Sequence, residues 1–137
     1  MALGIFDIAG SGMHVQTLRL NLVASNISNA NSVAKTAEEV YKSRQPIFAA
    51  ELSDAIDKQN GLSKVKMLGV VESKDPPVME YAPGHPMANQ EGYIFKSNVN
   101  TVEEMTNMMS ASRSYQNNVE VLNTAKQMML QTLKMGQ

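Results

Sequence analysis

The sequence predicts a mainly α-helical protein, in which an N-terminal and a C-terminal helix pair as a coiled coil beside a central extended, β-containing and loop-rich segment. Apolar residues recur every seven positions near both ends of the 137-residue chain, and all five prolines lie in the middle. These patterns divide the chain into an N-terminal helix over residues 1–32, a central segment over 33–97 and a C-terminal helix over 98–137.

The first helix is predicted from Ile5 to about Ala30, a stretch without proline that Gly10-Ser11-Gly12 is expected to fray or bend. Its apolar residues form two stripes on opposite sides, one with Phe6, Met13, Leu20 and Ile27, the other with Ile8, Val15, Leu18 and Leu22. A helix on the surface of one globule needs a single apolar stripe. Two stripes, separated by Gln16, Arg19 and Asn21, therefore predict a helix packed between partners.

The second helix is predicted to begin at Thr101, because Thr101-Val102-Glu103-Glu104 matches the Ser/Thr-x-x-Glu capping box, and to end near Gly136. A seven-residue repeat predicts a coiled-coil seam containing Met108, Tyr115, Leu122 and Met129. Asn118 interrupts this seam, where a buried amide can fix the register of two helices at some cost in stability.

The middle of the chain is predicted to be extended structure and loops. Its best strand candidate is residues 65–71, with Val65, Met67 and Val71 on one face and a stop at Asp75-Pro76-Pro77. The sequence also allows a short helix from about Ala49 to Asp57.

Composition argues against several classes of function. Lys and Arg number 12 against 13 Asp and Glu, and no basic run is present, so nucleic-acid binding is not expected. The absence of cysteine excludes disulfides and thiolate chemistry. No secretory signal of the Sec type is recognisable, and no uncharged apolar stretch approaches the roughly 20 residues that cross a bilayer, so direct membrane insertion is not expected.

No group of residues predicts catalysis, a cofactor or a metal site. His14 and His85 are the only histidines, and neither has a second ligand at a metal spacing. Gly10-Ser11-Gly12 lacks the preceding strand and following Lys of a phosphate loop, which favours a close approach of two backbones or a loosened helix end. Clustered methionines could form an adaptable groove, but their helical spacing favours core positions for Met105, Met108, Met109, Met128 and Met129.

Several segments resemble the rod and hook axial proteins of the bacterial flagellum. The Asn-rich box at residues 24–31, Ala-Ser-Asn-Ile-Ser-Asn-Ala-Asn, is similar to the one that closes the first helix in that family. Residues 81–86, 91–93, 98–100 and 109–126 are similar to its C-type proximal rod members. Ile27 and Ser28 stand where Leu and Ala are commoner, which preserves the size class.

The resemblance implies a non-enzymatic subunit that the flagellar type III export apparatus carries unfolded from the cytoplasm. Such a subunit polymerises in the basal body into the rod, which spans the periplasm and joins the membrane ring to the hook. The implied partners are further copies of the chain, other proximal rod subunits, the rod-base adaptor on the membrane ring and a neighbour on the distal rod side. In that family the terminal helices pair as a coiled coil, and the middle packs outward.

Together the stripes and the resemblance give a set of candidate assembly residues. They are Phe6, Met13, Leu18, Leu20, Leu22, Asn26, Ile27, Asn29, Met108, Tyr115, Asn118, Leu122 and Met129. A second hypothesis is a cytoplasmic helical adaptor or export chaperone that uses the methionine-rich helix as a groove. A third, a small hydrolase acting through His85, has little support in the sequence.

Overall fold

The computed structural model describes residues 2–51 and 63–136, with side chains from residue 4 onward. Two long helices, α1 (Ala2–Ser28) and α2 (Thr101–Met135), come from the two ends of the chain and pack against each other. Between them, residues 29–51 and 63–100 contain five strands: β1 (Val33–Ala34), β2 (Arg44–Glu51), β3 (Lys64–Glu72), β4 (Val78–Tyr81) and β5 (Tyr93–Lys96). The prediction of two terminal helices and a β-containing middle is confirmed.

The helix α1 begins slightly before its predicted start and continues without interruption through Gly10-Ser11-Gly12. The Ser11 hydroxyl donates to the Ile8 carbonyl, 2.8 Å away, within the same helix. At the other end both the backbone and the side-chain amide of Asn29 donate to the Ser25 carbonyl. The Ser25 carbonyl therefore accepts twice, once in the ordinary i to i+4 helical bond and once from the Asn29 side chain, which reinforces the last turn of α1.

The helix α2 has the predicted bounds but a different N-cap. Thr101 is already helical, and the Oδ1 atom of Asn100 accepts from the backbone amides of Val102 and Glu103 at 3.1 and 3.4 Å. The proposed capping box beginning at Thr101 is therefore wrong by one residue. Asparagine is among the best N-cap residues because its short side chain reaches the second and third amides of the helix.

The described residues divide into two compact units. One contains residues 2–20, 47–51, 63–69 and 109–136, and the other contains residues 21–46 and 70–108. The predicted three-part division at residues 32 and 97 remains a prediction.

The second unit contains a three-stranded antiparallel sheet in the order β1-β5-β4. Its central strand pairs Lys96 with both Val33 and Val78, and Ile94 is buried at its middle. Tyr81 and Tyr93 pair across β4 and β5 with ring centroids 5.2 Å apart in an edge-to-face arrangement. The sheet thus forms around a small apolar centre with one exposed edge strand, β4.

Strands β2 and β3 form a separate two-stranded sheet, which we call the ribbon. β3 confirms the predicted strand, but Val65 and Val71 are exposed and only Met67 is half-buried, so its apolar face is mostly uncovered. β2 was not predicted. Ala49 lies within β2, so the short helix expected to begin there is wrong at its start, and residues 52–57 lie outside the described residues.

The buried core is small. It consists of Ala9, Val15, Val23, Ala30, Ala34, Val40, Ile94 and Ala111. On α1 the buried line lies between the two predicted apolar stripes, whose members except Val15 remain half-buried. Gln16 and Arg19, which were expected to separate the stripes, are themselves half-buried. The helix therefore packs through small residues, and larger apolar side chains flank this contact.

Candidate assembly surfaces

The last turns of α2 expose apolar side chains to solvent. Every residue from 128 to 136 is exposed, including Leu130, Leu133 and Met135, with Leu133 at 63% and Met135 at 82% of full exposure. A helix that stays in water carries polar residues on its exposed faces. A contiguous apolar surface of this kind is typical of a protein–protein contact.

An apolar groove adjoins this exposed end within the first unit. Ile5 of α1 and Val121, Ala125 and Met128 of α2 line it, with Asn117, Glu120 and Thr124 at its polar edges, and its volume is about 470 Å³. The groove lies where the first turns of α1 meet the C-terminal half of α2. It can accept apolar side chains from another helix.

Four of the five clustered methionines are exposed, so their predicted core positions are wrong within a single chain. Met105, Met109, Met128 and Met129 are exposed, and Met108 is half-buried. Helical spacing shows that these residues share faces, but it does not show whether the same chain or a neighbour covers them.

The predicted assembly residues occupy three environments. Eleven are half-buried, namely Phe6, Met13, Leu18, Leu20, Leu22, Ile27, Asn29, Met108, Tyr115, Asn118 and Leu122. Met129 is exposed, and Asn26 is fully buried. Their roles in assembly remain a prediction, although the half-buried residues retain apolar area that a neighbour could cover.

The helices approach each other closely where α1 has its second glycine. A β-carbon built on Gly12 would lie 2.8 Å from Nδ2 and 3.1 Å from Cγ of Asn118, whereas one built on Gly10 would meet no atom within 4 Å. The predicted approach of two backbones is therefore wrong in form, because the Gly12 backbone meets the Asn118 side chain, and the loosened helix end is not seen, because α1 continues through this sequence.

Asn26 is the largest fully buried side chain, with 1% of its surface exposed. Its Nδ2 atom donates to the Arg44 carbonyl at 2.8 Å, and its Oδ1 atom accepts from the Arg44 amide at 3.0 Å and from the Tyr41 hydroxyl at 2.7 Å. Sequence reasoning identified Asn26 but missed Tyr41 and Arg44. No local spacing could indicate them, because the contacts join residues 15 and 18 positions apart.

Asn98 makes a similar bridge in the same unit. Its Oδ1 atom accepts from the Ser43 amide at 2.8 Å, and its Nδ2 atom donates to the Asp75 carbonyl at 2.9 Å. The Ser43 carbonyl accepts from the Ser73 amide at 2.8 Å. Two side-chain amides thus bind successive backbone residues where β2 begins.

A polar cleft of about 390 Å³ lies beside this network, lined by Glu38, Glu39, Lys42 and Glu72 among others. The Arg44 guanidinium lies 5.5 Å from the Tyr41 ring centre and 3.5 Å from a Glu72 carboxylate oxygen. Three acidic and two basic side chains line the cleft, so it has no single sign of charge with which to attract an ionic ligand.

The structure offers no alternative chemistry at the histidines. The Nδ1 atom of His85 accepts from the Met87 amide within a turn, and His14 is an exposed helix residue. Within residues 2–51 and 63–136, no three His, Cys, Asp or Glu side chains come close enough to hold a metal ion. In the same part of the chain no helix has the length and apolar character needed to span a membrane.

The known proteins that we find to be similar to this chain are flagellar basal-body rod proteins. A family model described as the C-terminal part of the flagellar basal body rod FlgEFG proteins matches residues 90–135. The flagellar basal-body rod proteins FlgC of Salmonella typhimurium and of Escherichia coli O157:H7 are each 47% identical over 135 residues, covering 98% of both chains. FlgC of Yersinia enterocolitica is 42% identical over the same coverage.

These relatives confirm the predicted rod protein of the flagellar basal body, its location there and its structural rather than enzymatic character. Their similarity extends over nearly the full chain, so it includes both helices and the β-containing middle. The chain therefore belongs to the FlgC family of flagellar basal-body rod proteins.

Proposed function

We propose that the chain is a structural subunit of the proximal rod, exported from the cytoplasm by the flagellar type III apparatus and polymerised into the shaft between membrane ring and hook. The observation that carries this proposal is the exposed apolar end of α2, with Leu130, Leu133 and Met135 uncovered. A single chain leaves this surface in water, and burial against a neighbour is favourable at about 25 cal/mol per Å² of apolar surface.

The helices are proposed to complete a coiled coil during assembly. Met108, Tyr115 and Leu122 of the predicted seam are half-buried, while Met129 is exposed. The seam residue nearest the C-terminus is the most exposed of the four, which supports a neighbouring helix as the missing partner there. Helices of this kind gain most of their stability from such packing.

Further copies of the chain and other proximal rod subunits are the proposed lateral partners. The rod-base adaptor and a distal rod-side protein are proposed to contact the two ends of the stack. Contacts between two different surfaces, repeated head to tail, build a helical polymer when the rotation does not close a ring. Val102 and Met105 near the start of α2 and Leu133 near its end are exposed surfaces for such contacts.

A cytoplasmic adaptor or export chaperone with a methionine-rich groove is not favoured, because the relatives are rod proteins. The two hypotheses differ in the isolated chain. The rod subunit should show rapid hydrogen exchange at its termini before assembly, and the adaptor should show protected termini.

The test introduces a charge at an exposed apolar position of α2. Leu133→Glu and Met128→Glu, expressed in a flagellated strain that lacks its own copy, should be exported but absent from purified basal bodies. Leu133 and Met128 are both exposed, so neither change should unfold the subunit. Gln131→Glu adds the same charge at an exposed polar position of the same helix end and should be incorporated.

Changes at half-buried positions give a second series. Leu22→Asp and Leu122→Glu should also prevent stable incorporation while still permitting export, and should additionally lower the stability of the isolated chain. Basal bodies that contain Leu133→Glu and Leu122→Glu at normal levels would contradict the proposed assembly surface.

A further inference from the structure

We propose that Asn26 is an intramolecular positioning residue, which holds the start of β2 at the end of α1, and that it is not a contact to a neighbouring rod subunit. Its side chain is 1% exposed, so no atom of it can reach another molecule in this conformation. The family resemblance predicted that Asn26, in the Asn-rich box, acts in assembly. The structure instead shows its side chain bound to residues of the same chain.

The geometry resembles the pairing of two strands. An asparagine side chain carries one carbonyl and one N–H₂ group, the same acceptor and donor that a peptide group offers. Asn26 binds a single residue with both groups, because its Oδ1 atom accepts from the Arg44 amide at 3.0 Å and its Nδ2 atom donates to the Arg44 carbonyl at 2.8 Å. It thus satisfies one edge of β2 where a neighbouring strand would otherwise be required.

The opposite edge is held by different groups. The amide of Ser43 donates to Asn98, and its carbonyl accepts from the Ser73 amide. Successive residues of a strand direct their backbone groups to opposite edges. Ser43 and Arg44 are therefore bound from both sides, and Asn26 is the ligand on the side of α1.

Arg44 and Tyr41 together hold the Asn26 amide in one orientation. Its hydroxyl donates to Oδ1 of Asn26 at 2.7 Å and lies 3.3 Å from the Ser25 hydroxyl. The Arg44 amide can only donate and the Arg44 carbonyl can only accept, so Oδ1 must face the amide and Nδ2 must face the carbonyl, while the Tyr41 hydroxyl gives Oδ1 a second donor. The amide flip that would place two donors against the Arg44 amide is excluded.

The arrangement determines where one end of the ribbon is presented. Val70 and Val71 of β3 belong to the same unit as Asn26 and are exposed, and Arg44 pairs with Glu72 across the ribbon. If these valines meet a neighbouring subunit, which rests on the proposed function, then Asn26 acts on assembly through Arg44 and the ribbon.

Hydrogen exchange of the purified full-length chain tests the intramolecular part without requiring assembly. Asn26→Leu keeps the number and branching of the side-chain heavy atoms but removes every hydrogen bond of the side chain, and it should raise the exchange rate of the Arg44 amide about tenfold, the effect of losing one buried hydrogen bond. Amides in the middle of α2 should keep their rates. Asn29→Ala, in the same Asn-rich box, removes only the bond to Ser25 and should leave Arg44 unchanged.

Two milder variants keep the proposal falsifiable if Asn26→Leu does not fold. Tyr41→Phe should raise the Arg44 exchange rate by a smaller factor. Asn26→Asp, measured at low pH where the carboxyl is protonated, keeps an acceptor for the Arg44 amide and a donor for the Arg44 carbonyl, and should restore part of the protection that Asn26→Leu loses. The proposal would be overturned if the Arg44 amide exchanged at the wild-type rate in both Tyr41→Phe and Asn26→Leu. If Asn26→Leu reduced incorporation into basal bodies without changing exchange at Arg44, Asn26 would instead be assigned to a contact with a neighbouring subunit.

Discussion

The side-chain amide of Asn118 lies against the backbone of Gly12, so closely that a β-carbon on residue 12 would be 2.8 Å from its Nδ2 atom. Gly12 lies in α1 and Asn118 in α2, and both belong to the first unit. Glycine leaves room for the amide at the cost of helix propensity, which is about 1 kcal/mol lower than that of alanine. The close packing of the two helices is therefore accompanied by a lower local stability of α1.

Gly12→Ala should leave the isolated chain less stable than Gly10→Ala by about 1 kcal/mol, because the Asn118 side chain must move away from the added β-carbon and this displacement offsets the gain in helix propensity. Urea unfolding followed by circular dichroism measures this difference. Gly10→Ala is the matched control, since a β-carbon there meets no atom within 4 Å, and it should raise stability by roughly 0.5–1 kcal/mol. Asn118→Ala should relieve most of the cost of Gly12→Ala, and a purely additive double variant would show that the contact is not the cause.

Asn100→Ala should destabilise the chain by about 1 kcal/mol, because it removes the acceptor for the Val102 and Glu103 amides at the start of α2. Thr101→Ala should have a much smaller effect, since Thr101 is already inside the helix. Thermal unfolding of the two variants separates the observed cap from the one that the sequence motif predicts. A larger loss for Thr101→Ala than for Asn100→Ala would favour the motif.

Gly92→Ala should lower the stability of the chain by about 2 kcal/mol or more. Gly92 has a φ angle of +82°, and its β-carbon would lie 2.9 Å from Cε2 of Tyr81 and 3.2 Å from Cβ of Pro83. An L-residue pays about 1–2 kcal/mol for this backbone conformation before any overlap is counted. The shift in midpoint temperature should be absent in Gly84→Ala, where the added carbon meets nothing within 4 Å. Equal shifts in both variants would contradict this explanation.

Gln16→Leu should stabilise the isolated chain by roughly 1 kcal/mol. The Oε1 atom of Gln16 is buried and has no hydrogen-bond partner among the described residues, and such an atom costs more than an apolar group of similar shape. Urea unfolding measures the change, with Gln127→Leu at an exposed position of α2 as the control for added hydrophobicity. A decrease in stability for Gln16→Leu would mean that the side chain has a polar partner.

The helices could be predicted because their signals are local. The absence of proline and the seven-residue repeats mark both helices, and Gly136 marks the end of α2. Strand β2 could not be predicted. It contains Pro46 and Arg44 within eight residues, and the bonds at its beginning come from Asn26 and Asn98, which lie 18 and 55 positions from their partners.

Apolar periodicity also did not predict which face of α1 is buried within the chain. The stripe residues Met13 and Leu20 are only half-buried, whereas the small Ala9 and Val23 between the stripes are buried. Large residues mark a face that favours burial, but the closest approach of two helices requires small ones. A sequence pattern cannot distinguish a face covered within the chain from one reserved for a neighbour.

Signals between neighbouring residues were enough to predict the two terminal helices, the strand β3, the lack of recognisable catalytic chemistry and the resemblance to flagellar axial proteins, because hydrogen bonding within a helix and residue spacing are local properties. Contacts between distant segments place Asn118 on Gly12, bind Asn26 to Arg44 in place of a strand and leave the end of α2 uncovered. These contacts depend on which distant segments pack together. Whether a residue is buried is determined by that packing and not by the residue type alone.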